Sequence, residues 1–448
     1  MRFFREILTV LAGLLVLLLG AALAGPYFVD WNKHKPLVVG RLAQATGATI
    51  HVAGDIDLKL LPSPRLRLGR VTFAGQKSGS PQLEAETLYL ELGLTALLRG
   101  QIRLVEAIVQ RPHMQVTMQA NGGFVLPDFP AAGPWQIAFE HVAFQDARVT
   151  VLRPGGLPPL QVSGLSLDAS GQSLEGPFRG NGTFALAGDT ITYSFNTGAA
   201  EQDSLRAKLV ARSSRLSVRG EFDGALKLEA GAGRVATLAF SGTATLAGQV
   251  MLPGAIEQKW RASGPLVMDA DGIRSEAFDL RAGEEARTVS ATGAFEAFFR
   301  DAGDPKSTAH ATLTLAAQQI NADALLGGEG PRQPAMAVLA DWLQQLAAQK
   351  RLVSFFPVPV DLEIAAAALT LGQDTLSKVS LKAKIEPGKP VSLTFAAGAP
   401  GTTSLTLNGT LETGAAALGA WARTTVTGHA PRRRGEAQRA ALARCRPC

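Results

Sequence analysis

Gly-Asp-Thr-Ile-Thr-Tyr-Ser-Phe-Asn, residues 188–196, is a stretch that passes from a turn signal into strict alternation of apolar and polar side chains. A period of two puts Ile191, Tyr193 and Phe195 on one face of a β-strand and the polar residues on the other. The pair Gly188-Asp189 tolerates positive φ and is typical of tight turns. The stretch therefore predicts a strand with one apolar face that begins at a hairpin.

The same alternation recurs over several hundred residues. Further apolar sets with this period are Met114, Val116 and Met118; Leu313 and Leu315; Val391, Leu393 and Phe395; Leu405 and Leu407. Further turn signals are Asn121-Gly122, Asn181-Gly182, Asp223-Gly224, Asp271-Gly272 and Asn408-Gly409. The pattern predicts a mainly β protein, an elongated and curved antiparallel sheet built as a meander.

Helical patterns are few and short. They cover Pro36–Ala45, Leu94–Arg99 and Pro334–Gln349, the last with an amphipathic stripe. So few helices leave most of the apolar face uncovered, and large uncovered apolar faces usually bind something. The sequence therefore predicts an apolar groove. Its candidate residues are Met114, Val116, Met118, Ile191, Tyr193 and Phe195.

The N-terminus predicts a membrane anchor over residues 1–31. Ile7–Ala24 contains no charged residue and is long enough for a membrane span, which takes about 20 residues. Arg2 and Arg5 precede it, which keeps the N-terminus in the cytoplasm and places residues 32–448 on the far side. The alternative is a signal peptide cleaved after Ala24. Both interpretations put the body outside the cytoplasm.

The C-terminal residues 413–448 differ in composition from the body, residues 32–412. Most of the net charge of +6 comes from six arginines between residues 430 and 448. The nearly neutral body has no basic surface for nucleic acid. Both cysteines, Cys445 and Cys448, also lie there. The segment is either a native basic tail or the product of a shifted or truncated reading frame.

Motifs for catalysis are not found. The six histidines have no metal-ligand spacing, and the sequence contains neither a G-x-S-x-G elbow nor a phosphate-binding P-loop. We therefore expect no enzymatic activity, no cofactor and no metal ion. A secreted enzyme whose catalytic groups are far apart in sequence stays open as an alternative.

Three blocks near the N-terminus resemble the AsmA family of bacterial envelope proteins. They are Phe28–Asn32 with Lys35-Pro36, Ile50–Ile56 followed by Leu60–Leu66, and Leu94–Ile102. The resemblance covers roughly the first 130 residues, and Gln319–Leu326 is similar to a short helical phrase of the family. The residues that carry it have structural roles as helix caps, turns and strand ends: Asp30, Trp31, Asn32, Gly47, Gly54, Pro62 and Pro64.

The resemblance implies a single-pass protein of the inner membrane with its body in the periplasm. It also implies a curved β-sheet with an apolar groove, and a role in outer-membrane assembly or in phospholipid transport between membranes. Its partners would then be phospholipid acyl chains. The alternative is an envelope assembly factor that binds other proteins by strand addition. A groove predicts one continuous apolar face, strand addition predicts an apolar edge, and an enzyme predicts a compact pocket.

Overall fold

The structure is a computed structural model in which most of the body is described. The described residues are 31–46, 49–59, 63–74, 82–97, 103–119, 123–125, 138–153, 159–171, 173, 176–186, 188–201, 204–230, 235–252, 256–269, 271–283, 288–298, 309–325, 358–372, 374–386, 389–399 and 403–411. The predicted anchor up to residue 30, the predicted helix Pro334–Gln349 and the tail 413–448 lie outside these ranges. Within them, no helix has the length and hydropathy that a membrane span requires.

The described chain is mainly β, as predicted, and divides into two compact units, Met1–Phe240 and Ser241–Cys448. The strands of the first unit are β1 Thr49–Val52, β2 Ile56–Lys59, β3 Arg65–Ala74, β4 Gln82–Leu92, β5 Arg103–Gln110, β6 His113–Thr117, β7 Phe124–Val125, β8 Ala138–Leu152, β9 Leu160–Gly171, β10 Phe178–Leu186, β11 Asp189–Glu201, β12 Ser204–Ser213 and β13 Val218–Ala230. β14, Val235–Leu252, begins in the first unit and ends in the second. The second unit continues with β15 Ile256–Met268, β16 Gly272–Ala282, β17 Val289–Phe298, β18 His310–Asn321, β19 Val360–Leu371, β20 Asp374–Ile385, β21 Val391–Ala399 and β22 Thr403–Leu411.

The described residues form three short α-helices. They are α1 Lys35–Thr46, α2 Leu94–Leu97 and α3 Ala322–Leu325. α1 confirms the helix predicted at Pro36–Ala45, with Pro36 in the first turn, where its missing N–H costs nothing. α3 is shorter than the phrase Gln319–Leu326 suggests, because β18 runs to Asn321 before the helix begins.

The core of the first unit lies under α1. Val38, Val39 and Leu42 of the helix pack against a buried cluster that contains Leu68 and Val71, which are 0% and 1% exposed. The helix therefore lies on the first strands. The second unit has a separate core around Leu376, Phe395 and Leu405.

Most neighbouring strands are antiparallel, but the sheet is not the pure meander that the sequence predicts. β5 and β6 pair with β8 in parallel, and β18 pairs with β19 in parallel. A parallel pair needs a long connection, since the chain must return to the end at which it started. The segments 118–137 and 322–359 supply these connections.

The turn signals were correct in part. Gly188 precedes β11 in a tight hairpin, and Asp271 lies between β15 and β16. In contrast, Asn181-Gly182, Asp223-Gly224 and Asn408-Gly409 lie inside β10, β13 and β22. At Gly182 the reason is space, because an added Cβ would lie 2.0 Å from the carbonyl oxygen of Ser166. This glycine allows a close approach of two strands.

A short hairpin brings distant strands of the first unit together. After β6, Met118 pairs with Phe124, and β7 then pairs with the start of β14: Val125 with Val235 and Phe124 with Ala236. β6 also pairs with β8, and β8 to β13 pair one after the other. β7 therefore links β6 to β14 within the first unit.

Candidate functional site

The strand register puts the two predicted apolar sets on the same face of the first unit. Side chains of directly opposed residues point to the same side of a sheet. Met114 and Val116 of β6 lie opposite Val149 and Val151 of β8. These two residues of β8 lie opposite Val162 and Leu160 of β9. Val162 lies opposite Leu186 of β10, and Phe184 of the same strand lies opposite Ile191.

We call this surface the apolar face. Beyond β11 it continues through Tyr193 and Phe195 to Ala211 and Leu209 of β12, and from Leu209 to Phe222 of β13. Its members on β6 to β13 are Met114, Val116, Met118, Val149, Val151, Leu160, Val162, Phe184, Leu186, Ile191, Tyr193, Phe195, Leu209, Ala211 and Phe222. The residues that the sequence nominated therefore lie on one surface of one unit.

Bulges keep the side chains in phase across this face. The β8–β9 register shifts on either side of Ala147, where Asp146 and Gly164 have φ values of 54° and 58°. An extra residue in a strand would normally turn the following side chains to the other face. Because each strand contributes one extra residue, the two shifts cancel between the pair Phe144–Leu167 and the pair Val149–Val162.

Glycines of β10 create room for aromatic rings on the apolar face. A Cβ added to Gly180 would lie 2.7 Å from the ring of Phe195, and one added to Gly182 would lie 2.8 Å from the Tyr193 hydroxyl oxygen. The rings of Phe184 and Tyr193 are 5.8 Å apart, and those of Tyr193 and Phe195 are 6.5 Å apart. The rings therefore lie over the glycine backbone and form a low aromatic surface.

The hydroxyl group of Tyr193 has a hydrogen-bond partner within the sheet. Its hydroxyl donates a hydrogen bond of 2.9 Å to the carbonyl oxygen of Ser166. Burial raises the pKa of Tyr193 above its usual value, so the side chain is neutral at physiological pH. The aromatic surface therefore carries no charge.

On β6 and β11 the exposure of the two faces differs. Ile191, Tyr193 and Phe195 are half-buried, whereas Thr192 and Ser194 between them are exposed. On β6 the alternation is the same, with Met114, Val116 and Met118 half-buried. Leu160 is 40% exposed. Unlike the core under α1, this part of the apolar face is only partly covered by the described residues.

Two polar clusters in the described residues consist of ion pairs between neighbouring strands. His141 lies between two carboxylates, with Nδ1 3.3 Å from Glu106 and Nε2 3.2 Å from Asp168. A depression in the second unit is lined by Glu363 and Lys382, which pair with each other at 2.9 Å. No group of three or more His, Cys, Asp or Glu side chains in the described ranges is arranged to hold a metal ion.

The residues of the family motif have structural contacts where they are described. Asn32, in a 3₁₀ turn at Trp31–His34, accepts a hydrogen bond of 3.2 Å from the Ile56 amide and ties the start of α1 to β2. Gly54 approaches β3 so closely that an added Cβ would lie 2.5 Å from the Gly69 carbonyl oxygen. Pro64 is buried and accepts a bond of 2.9 Å from the Leu92 amide. Asp30, Gly47 and Pro62 lie outside the described residues.

The pairing of β7 with β14 is a feature that sequence reasoning missed. Phe124 and Val125 form a strand of two residues and pair with a segment more than a hundred positions later. So short a strand has no periodicity that could be recognised.

Comparison with known proteins identifies the N-terminal part of the chain. The search of curated proteins and the search of solved structures gave no match. The family model of the AsmA family matches residues 1–151, which include α1, α2 and the strands from β1 into β8. This range contains all three blocks on which the resemblance rests. Over residues 1–151, about a third of the chain, the sequence therefore matches the AsmA family.

Proposed function

We propose that this chain is a membrane-anchored protein of the periplasm that shields phospholipid acyl chains on its apolar face. In this way it supports phospholipid transport between the membranes or the assembly of the outer membrane. The observation that carries the proposal is the continuity of the apolar face from β6 to β13, with side chains that are only half-buried. Membership of the AsmA family and a large β-sheet are compatible with such a role.

The chemistry of the apolar face suits an acyl chain. Each CH₂ group that leaves water contributes about 0.8 kcal/mol, so a chain lying along the face gains free energy with its length. The rings of Phe184, Tyr193 and Phe195 offer a low and uncharged surface. No bond of the ligand has to react, so the proposed role is binding and transport and requires no catalytic group.

A matched pair of substitutions tests the proposal. Val116 is half-buried on the apolar face, and Thr117 beside it is exposed on the opposite face. We expect Val116→Asp to reduce the phospholipid that copurifies with the full-length protein severalfold, because a carboxylate beside an acyl chain loses its hydration. Thr117→Asp should leave the amount of phospholipid unchanged. Both variants keep the lipid that binds around the proposed anchor, so this lipid does not affect the comparison. Mass spectrometry of the extracted lipid measures the amount of phospholipid in each variant. Equal lipid content in the two variants would contradict the proposal.

One observation favours the second candidate function, the binding of envelope proteins by strand addition. β22, the last described strand, pairs with β21 over nine consecutive positions without a register shift. Its sequence, Thr403–Leu411, contains neither a charged residue nor a proline. Natural edge strands usually carry such residues to block pairing. The edge of β22 is therefore suited to accept a further strand.

A further inference from the structure

The side of α1 that faces away from the strands carries an exposed apolar residue. Val38, Val39 and Leu42 pack on the core, whereas Leu37 is 65% exposed. Among the described residues Leu37 is the most exposed large apolar side chain, and the next, Val250, is 43% exposed. A single exposed leucine is common on protein surfaces and by itself indicates nothing. The place of Leu37 in the chain supplies the second observation.

Leu37 lies close to the end of the predicted membrane anchor. The 3₁₀ turn Trp31–His34 runs into α1 at Lys35 without a loop between them. At about 2.0 Å per residue in a 3₁₀ turn and about 1.5 Å in an α-helix, Leu37 is at most about 10 Å from Trp31, where the predicted anchor ends. An interfacial helix buries its apolar side by about 5–10 Å at the boundary of headgroups and acyl chains. Leu37 is therefore within reach of the bilayer that the anchor enters.

The start of α1 is also tied to the strands of the first unit. Asn32, in the 3₁₀ turn, accepts a hydrogen bond of 3.2 Å from the Ile56 amide of β2. The inner side of α1 packs on the core with Val38 and Leu42. The helix cannot leave the strands without breaking these contacts. The end of the anchor therefore determines how far β1 to β3 are from the membrane.

The charges around α1 suit a layer of lipid headgroups. Residues 31–54 contain Lys33, Lys35 and Arg41 and no Asp or Glu. Lys33 is exposed and lies four positions before Leu37. Helices that lie on membranes combine apolar residues at the acyl boundary with lysine or arginine at the headgroups, and anionic phospholipids attract these cations. The outer side of α1 and the turn before it have both kinds of residue.

We propose that α1 docks on the membrane that holds the anchor, with Leu37 at the acyl boundary and Lys33 among the headgroups. This docking rests on the part of the proposed function that places an anchor before residue 32. Its inner side stays on the core, so α1 joins the membrane surface to the first strands. The first unit then stands directly on the membrane and is not suspended from a tether.

Quenching of fluorescence by brominated phospholipid tests the docking. A nitrobenzoxadiazole fluorophore is attached at Gly40→Cys, because a Cβ there meets nothing within 4 Å and Gly40 is exposed one turn after Leu37. The full-length chain, with Cys445 and Cys448 replaced by serine, is inserted into nanodiscs of phosphatidylcholine and phosphatidylglycerol, with or without brominated acyl chains. The control carries the fluorophore at Thr192→Cys, an exposed position of β11. β11 is six pairing steps from β3, through β4, β5, β8, β9 and β10.

We expect brominated lipid to quench the fluorophore at position 40 at least about threefold more strongly than the fluorophore at position 192, because only α1 lies at the acyl boundary. Equal quenching at both positions, in protein that has entered the nanodiscs, would overturn the docking and leave the proposed function standing. Failure of the unmodified protein to enter nanodiscs would instead refute the anchor, and the docking with it.

A substitution at Leu37 distinguishes docking from mere closeness to the membrane. Leu37 is exposed and lies outside the core cluster, so Leu37→Asp should keep the fold, which circular dichroism checks. A carboxylate loses hydration at the acyl boundary, and quenching of the fluorophore at position 40 should therefore fall severalfold. Thr192→Asp is the matched control and should leave this quenching unchanged. Undiminished quenching in the Leu37→Asp variant would contradict the docking.

Discussion

At the scale of single residues, Gly54 shows how a short family motif acts through space. Its amide donates a bond of 2.8 Å to the Gly69 carbonyl oxygen, and the Gly69 amide returns one of 2.9 Å to Asp55. A Cβ at Gly54 would lie 2.5 Å from that carbonyl oxygen, so the backbone of β3 would have to move. The glycine is needed for the close approach of two backbone segments beside the core under α1.

Replacing Gly54 tests this role. We expect Gly54→Ala to lower the free energy of unfolding by about 1–3 kcal/mol, the usual cost of forcing an extra methyl group into a packed site. Gly40→Ala is the control, because a Cβ there meets nothing within 4 Å and alanine favours the helix by up to about 1 kcal/mol. Urea denaturation followed by circular dichroism measures both. A Gly54→Ala variant as stable as the unmodified protein would show that β3 can move at little cost.

Asp189 holds together the turn between β12 and β13. Its carboxylate accepts hydrogen bonds from the Ser213 hydroxyl, from the Ser214 hydroxyl at 3.2 Å and from the Arg215 amide at 2.9 Å. Burial acts to raise the pKa of Asp189, but these hydrogen bonds outweigh it and hold the pKa below its usual value. The sequence identified this residue only as part of a turn signal, because its partners are distant in sequence.

The lowered pKa of Asp189 predicts a pH dependence of stability. A carboxyl whose pKa is lower in the folded state stabilises the fold above its unfolded pKa of about 3.9, and this contribution is lost as the pH falls through the folded pKa. Asp189→Asn should therefore cost about 1–3 kcal/mol at pH 7, and the difference from the unmodified protein should shrink in acid. Denaturation of both proteins between pH 7 and pH 3 measures the difference, and a difference independent of pH would contradict the account.

At the scale of elements, strands with regular alternation were predictable and short or displaced elements were not. The period of two located β6, β11 and β21, and proline and glycine located α1. The pairs Asn181-Gly182 and Asp223-Gly224 misled the prediction because glycine serves both turns and close strand contacts. β7 is too short to show a period, so nothing in the sequence marked it as a strand.

The edge of β22 gives a prediction at this scale. Asn408 is exposed on β22, and its direct partner Thr394 is exposed on β21, one strand further in. If the edge binds further strands, Asn408→Lys should reduce self-association or partner binding, because lysine on an edge opposes pairing. Thr394→Lys places the same charge beside the edge and should have little effect. Light scattering over a range of protein concentrations measures the self-association of the two variants. Equal association of both would argue against strand addition at this edge.

At the scale of the whole molecule, the sequence located two apolar sets but not that they share one surface. The two apolar sets, Met114–Met118 and Ile191–Phe195, could be nominated because each alternates by itself. That they lie on one face depends on the registers of β6, β8, β9 and β10, and on bulges that no local pattern reveals. The pairing of β7 with β14 likewise joins residues that are far apart in the chain.

The measurement that tests the account most directly is photocrosslinking of phospholipid to the full-length protein in its membrane. A benzophenone amino acid replaces Tyr193 on the apolar face or the adjacent Thr192 on the exposed face, and the cells carry radiolabelled phospholipid. The account predicts a labelled adduct at Tyr193 and little or none at Thr192, because acyl chains lie along one face only. Adducts of equal yield at both positions, or at neither, would contradict the claim that this face shields lipid.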